Sequence, residues 1–262
     1  MSVCDRHIYE NYLKILHSEL IPAMGCTEPI AIAYAAARLR EVLGKIPESM
    51  TACCSGNIIK NVKGVVVPNA GGLRGVEAAA VLGAVAGKAE RELEVISEVT
   101  PEEQAEVKRL CEKGMCSCSL VTGEENLYIR ISGKAGKDQA SVVVQGAHNH
   151  IARIEKNGEV LFEQPQIQTE ESGDKSLLNI RDILQFAKEV TVDEVKMLLD
   201  RQISFNSAIS EEGLSHNWGA EVGRTLYETE GNGLKTRIKA AAAAGSDARM
   251  SGCSLPVVIN SG

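Results

Sequence analysis

Apolar residues recur every four positions at the start of the chain. Ile8, Tyr12, Leu16 and Leu20 form one stripe, which predicts a helix over residues 5–20. A second helix is expected over residues 29–42, rich in alanine, with Arg38 and Arg40 near its end and Gly44 as the stop. The period then shortens, and residues 50–55 and 64–67 read as strands. Residues 68–72 read as a loop, and residues 76–85 as a small-residue helix in which Gly83 marks close packing. Thr100-Pro101-Glu102-Glu103 is a capping box with proline in the first turn, so a helix should run to Lys113 and end at Gly114.

Beyond Gly114 the alternation of a sheet takes over. Residues 115–121, 127–132, 139–144, 151–155 and 160–163 read as successive strands, and Lys156-Asn157-Gly158-Glu159 as a tight hairpin. A polar stretch over residues 164–175 reads as a linker or crossing loop. Helical patterning returns from Ser176. A second capping box stands at Thr191-Val192-Asp193-Glu194, Trp218, Val222 and Leu226 repeat every four residues, and an alanine helix covers residues 239–244 before Gly245. The fold class expected is α+β: a mixed domain over residues 1–172, then the beginning of a helical domain over residues 173–262.

Composition narrows the functional classes. Aromatic residues are only 3% of the 262, so the core must be built from small side chains in close backbone contact. A formal charge of −7 without a basic cluster speaks against nucleic acid and anionic membranes as partners. No apolar run approaches the ~18 residues of a membrane span, and the first residues turn directly into the amphipathic pattern. Eight cysteines without a secretory signal suit reduced thiols, and a cytoplasmic location is expected. Adjacent Cys53 and Cys54 would point to opposite faces of a strand, and Cys116-Ser117-Cys118 lacks a partner pair, so no self-contained metal site is expected in this chain.

The chemistry begins at Gly25-Cys26-Thr27-Glu28-Pro29. Thr27 or Glu28 reads as a helix N-cap, which sets Cys26 beside unpaired amides and the positive end of a helix, where a thiolate is stabilised. The competing reading is a buried structural cysteine. Asn57, Lys60 and Asn61 form a polar group after a strand, suited to a carboxylate or equally to a helix cap with a solvated lysine. His148, in Gly146-Ala147-His148-Asn149, can orient a carboxylate or carry a proton, or merely sit in a surface turn. Asn206 with Ser210-Glu211-Glu212-Gly213 reads as a polar cluster at a helix break. Arg249 suits bidentate contact with a carboxylate, against a structural pair with Asp247.

The Gly-Cys-Thr-Glu-Pro segment and its alanine-rich helix resemble the signature of the iron–sulfur-dependent L-cysteine desulfidases, relatives of the bacterial L-serine dehydratases. Matching segments follow in order: Ser55-Gly56-Asn57-Ile58-Ile59-Lys60-Asn61, Val65-Val66-Val67-Pro68, Gly146-Ala147-His148-Asn149, Ser210-Glu211-Glu212-Gly213-Leu214 and Ser246-Asp247-Ala248-Arg249-Met250. The resemblance implies β-elimination from a small amino acid, L-cysteine or else L-serine, giving pyruvate, ammonia and sulfide or water. It implies Cys26 as proton acceptor, with Thr27, Asn57, Lys60, Asn61, His148, Asn206 and Arg249 as the substrate-binding candidates. It also implies a [4Fe–4S] cluster in the complete enzyme, held by three cysteines in a region beyond Gly262, with none bound to these residues alone. Without that region the expectation is a front portion lacking turnover, with self-association into a homodimer open. A non-catalytic amino-acid-binding module and a Cys26–His148 hydrolase are the rival readings.

Overall fold

The computed structural model describes residues 5–164, 172–231 and 233–260. Helix α1 (Arg6–Glu19) is capped by the Asp5 carboxylate, which accepts from the His7 amide. It leads into strand β1 (Leu20–Met24) and helix α2 (Thr27–Leu43), which stops at Gly44 in the left-handed conformation. Strand β2 (Ser49–Ser55) is followed by α3 (Gly56–Val62), whose first turn is capped by Ser55. Then come α4 (Gly75–Ala86), a 3-10 segment (Ala89–Glu94) and α5 (Pro101–Glu112), which opens on the expected Thr100–Glu103 capping box.

Strands β3 (Cys116–Val121), β4 (Tyr128–Ala135), β5 (Asp138–Gln145), β6 (Ile151–Lys156) and β7 (Glu159–Glu163) join β2 in a six-stranded sheet of order 3-2-4-5-6-7. Only the β2–β3 pair is parallel. The β6–β7 turn places Asn157 and Gly158 both at positive φ, 53° and 87°, as a tight hairpin of this composition requires. Alternate residues of each central strand, such as Ile129 and Ile131 on β4 and Val142 and Val144 on β5, join the core with α2 and α4.

Helix α2 is buried on nearly every face, from Ile30 through Leu39. Alanine makes that possible. A Cβ added at Gly83 of α4 would lie 2.1 Å from the Ala33 carbonyl oxygen of α2, so the two backbones touch where larger residues would hold them apart. The scarcity of aromatics thus has its structural counterpart in helix-to-helix backbone contact.

The rest of the chain is helical: α6 (Ile180–Glu189), α7 (Val192–Ser215), α8 (Val222–Glu230) and α9 (Leu234–Met250), closing with strand β8 (Pro256–Asn260). The architecture is α+β. The N-terminal elements nevertheless engage this half. Strand β1 pairs antiparallel with β8, Leu20 opposite Asn260 and Met24 opposite Pro256. Helix α1 docks through Tyr9 and Tyr12, whose rings meet Phe186 edge-on at 5.1 and 5.6 Å, and through a two-way bond between the Asn11 amide and the Asp174 backbone.

Several expectations are corrected. The stretch at residues 64–67 forms no strand, only an isolated bridge from Val66 to Arg74. The polar cluster at residues 206–213 breaks nothing: α7 runs through it, because Gly213 is where the α9 backbone crosses, with a hypothetical Cβ 2.0 Å from the Ala244 oxygen. Gly245 likewise lies inside α9, and Trp218 precedes α8 instead of belonging to it. Part of the polar stretch at residues 164–175 lies outside the described residues. Among the described residues, no helix is long and apolar enough to cross a membrane.

Candidate active site

Strand β1 delivers the chain to Gly25, whose φ of 75° suits glycine and whose hypothetical Cβ would stand 3.1 Å from the Pro68 ring and 3.5 Å from the Arg249 carbonyl oxygen. Three distant segments therefore meet at this residue. Cys26, not Thr27 or Glu28, is the N-cap of α2, and it caps without a side-chain hydrogen bond to the helix. Its side chain is buried, and the thiol donates to Glu28 Oε2 at 3.0 Å.

Glu28 is the hub. Thr27 Oγ1 donates to the same oxygen at 3.4 Å, and Asn61 Nδ2 of α3 donates to Oε1 at 2.8 Å. Burial works against ionisation of Glu28. The bonds from Cys26, from its own backbone N–H and from Asn61, with the charge of His148 beside it, still hold its carboxyl below the ordinary carboxylate range. The thiol moves the other way. Burial first, and the Glu28 carboxylate second, push Cys26 up from 9.0 to about 12, against the opposing charge of Arg249. The helix-start amide of Glu28 does pull the thiol down, as expected, but burial first and the Glu28 carboxylate second outweigh it, and the proton stays on sulfur.

A cleft of about 700 Å³ opens at the Glu28 side of this group, lined by Glu28, Asn57, Ile58, residues 124–127, Gly146 and His148. His148 is buried in the turn between β5 and β6, not exposed at the surface. Arg249 does not line this cleft; it lies in the last turn of α9, and its buried Nε has no hydrogen-bond partner. The alternative Asp247–Arg249 pair does not form, since Asp247 accepts from the Gly223 amide at 3.1 Å and anchors α8.

Two expected residues stand apart. Lys60 is exposed and lines none of this cleft. Asn206 is committed elsewhere: its amide donates to the Val258 carbonyl at 3.1 Å and accepts from the Val258 N–H at 3.0 Å, clamping β8 onto α7. Conversely, Glu28 was legible only as a helix cap. The available signal was a carboxylate two residues after a cysteine at a helix start.

A second cleft, of about 490 Å³, runs between residues 66–72 and residues 251–255, with Glu212 and Trp218. Cys253 is buried there, while Cys54, Cys116 and Cys118 belong to the β2–β3 sheet edge and Cys111 to α5. Among the described residues, no group of three or more histidines, cysteines, aspartates or glutamates can hold a metal ion. By themselves these described residues do not fit an iron–sulfur cluster.

The profile of the serine dehydratase alpha chain family matches residues 90–262. The chain belongs to that family. It is similar to a UPF0597 protein of Lachnoclostridium phytofermentans, 48% identical over 256 residues, covering 97% of this chain and 61% of the relative. A UPF0597 protein of Desulfitobacterium hafniense is 48% identical over 260 residues, covering 98% and 60% respectively. One of Finegoldia magna is 48% identical over 255 residues, covering 97% and 61%. The chain spans about three fifths of the length of these curated relatives. No solved structure matches.

Proposed function

We propose that this chain carries the amino-acid-handling part of a β-eliminating lyase of the cysteine desulfidase type, acting on L-cysteine, with L-serine as the second substrate. The observation that carries the reading is the convergence of Cys26, Thr27, Asn61 and His148 on Glu28 at the edge of a cleft, with Arg249 close enough for its charge to act on the thiol. The α-proton of an amino acid is a weak acid, so a positioned base is needed, and Cys26 is the base in this reading. Arg249, with an unpartnered Nε, takes the substrate carboxylate. Asn57 and His148 line the space the side chain of the substrate enters. Lys60 and Asn206 are left out of the site, one exposed, the other holding β8.

Expulsion of sulfide or hydroxide needs help that the described residues do not supply. The complete activity is therefore proposed for a protein of the relatives' length, with a [4Fe–4S] cluster outside these residues. The test is release of sulfide and pyruvate from L-cysteine by that longer protein, reconstituted anaerobically, beside its Cys26→Ser variant. Turnover in the first and none in the second supports the reading. No turnover of cysteine or serine with an intact cluster removes it and leaves amino-acid binding without chemistry, a role that the protonated resting thiol equally suits.

A further inference from the structure

Burial first, and the Glu28 carboxylate second, keep the proposed base protonated, and Glu28 both holds the thiol's hydrogen bond and faces the cleft. Cys26 donates to Glu28 Oε2 at 3.0 Å, while Asn61 holds Oε1 at 2.8 Å. The charged and titratable groups around this pair are Glu28 and Cys26 on α2, His148 from the β5–β6 turn and Arg249 from α9, with Asn61 of α3 neutral. Glu124 and Glu125 add two more carboxylates across the cleft. The cleft is thus net negative on the Glu28 side, and a cation that acts on Cys26, Arg249, lies on α9.

We propose that Glu28 is the ammonium-binding residue of this site and, through that contact, the gate on Cys26. An α-ammonium group seated on the Glu28 carboxylate takes over the hydrogen bond that the thiol donates and neutralises the adjacent negative charge. The thiol then ionises, its proton passing to water, and Cys26 becomes a base only when an amino acid is present. The two charges of the zwitterion match the two that act on Cys26, ammonium for Glu28 and carboxylate for Arg249. This rests on the reading of Cys26 as base. It adds that the ligand class is restricted to α-amino acids, because a carboxylate without an ammonium leaves the gate shut. A resting thiol held neutral is also protected from alkylation and oxidation, which act on the thiolate.

The test is a titration of Cys26 in the 262-residue chain labelled with ¹³Cβ-cysteine, the resonance being assigned by its loss in Cys26→Ser. The probes are L-alanine, which has no β-leaving group, and propionate, which lacks the ammonium. In the free wild type the thiol should stay protonated to at least about pH 10. Saturating L-alanine should lower its midpoint by about one unit or more, a tenfold gain in thiolate, and propionate should leave it in place. Glu28→Gln should lower the midpoint without any ligand and abolish the L-alanine response. Glu28→Asp, which keeps the charge, should retain that response and serves if the glutamine variant does not fold. A wild-type midpoint unmoved by saturating L-alanine, or an equal shift in Glu28→Gln, overturns the proposal. Turnover by the longer protein with an unmoved thiol would retain the lyase reading and remove only this gate.

Discussion

Replacing Cys26 by alanine should flatten the loss of stability that the protein suffers in alkali. In the folded chain the thiol ionises near 12 instead of 9.0. Folding therefore favours the protonated form, and the stabilisation is complete below about pH 9 and lost as pH rises toward 12. At pH 10 the unfolded thiol is about tenfold more ionised than not, while the folded one remains protonated, so its contribution falls by RT ln 11, about 1.4 kcal/mol. The assay is urea unfolding under reducing conditions at pH 7.5 and 10, for wild type and Cys26→Ala. The cavity left by alanine costs the same at both pH values and cancels in the comparison. The wild type should lose about 1.4 kcal/mol more than the variant between the two. Equal losses, within about 0.5 kcal/mol, would refute the placement of a protonated thiol against Glu28.

Gly83→Ala should destabilise by about 3 kcal/mol or more, since its Cβ would overlap the Ala33 backbone. Gly64→Ala, with open space around it, should lie within about 0.5 kcal/mol of wild type, and thermal unfolding compares the two. Asn206→Ala removes both bonds to Val258 and should cost about 1–3 kcal/mol, with faster amide exchange along β8 while amino-acid binding persists. Arg249→Lys should weaken binding of amino acids by about tenfold through loss of the planar fork, read by calorimetry with L-alanine.

Local signals were legible and long-range ones were not. The capping boxes at Thr100 and Thr191, the Gly44 stop and the Asn157-Gly158 hairpin each rest on a few neighbouring residues, and each stands as expected. Strand β1, which begins where the first helical stripe ends at Leu20, was not anticipated, because its pairing partner β8 lies far along the chain and contributes no local pattern. Gly213 and Gly245 were misleading for the same reason: a glycine inside a helix reads as a break until the crossing of α7 and α9 is known, Gly213 against Ala244 and Gly245 against Ser210. At the site, Cys26, Asn61, His148 and Arg249 were identifiable by residue type and by resemblance. The sign of the thiol's shift was not, since helix-start amides were visible in the sequence while burial and the inward turn of Glu28 were not.

The β1–β8 pairing has a consequence for the order in which the protein is made. Cys26 lies just past β1, whereas Arg249 and the strand that pins β1 are synthesised only after all six strands of the main sheet. Until they emerge, the first sheet edge has no mate, and the thiol lacks both the Arg249 carbonyl wall at Gly25 and the covering that buries it. During synthesis the Cys26 thiol is therefore exposed before the elements that bury it in the folded chain have been made.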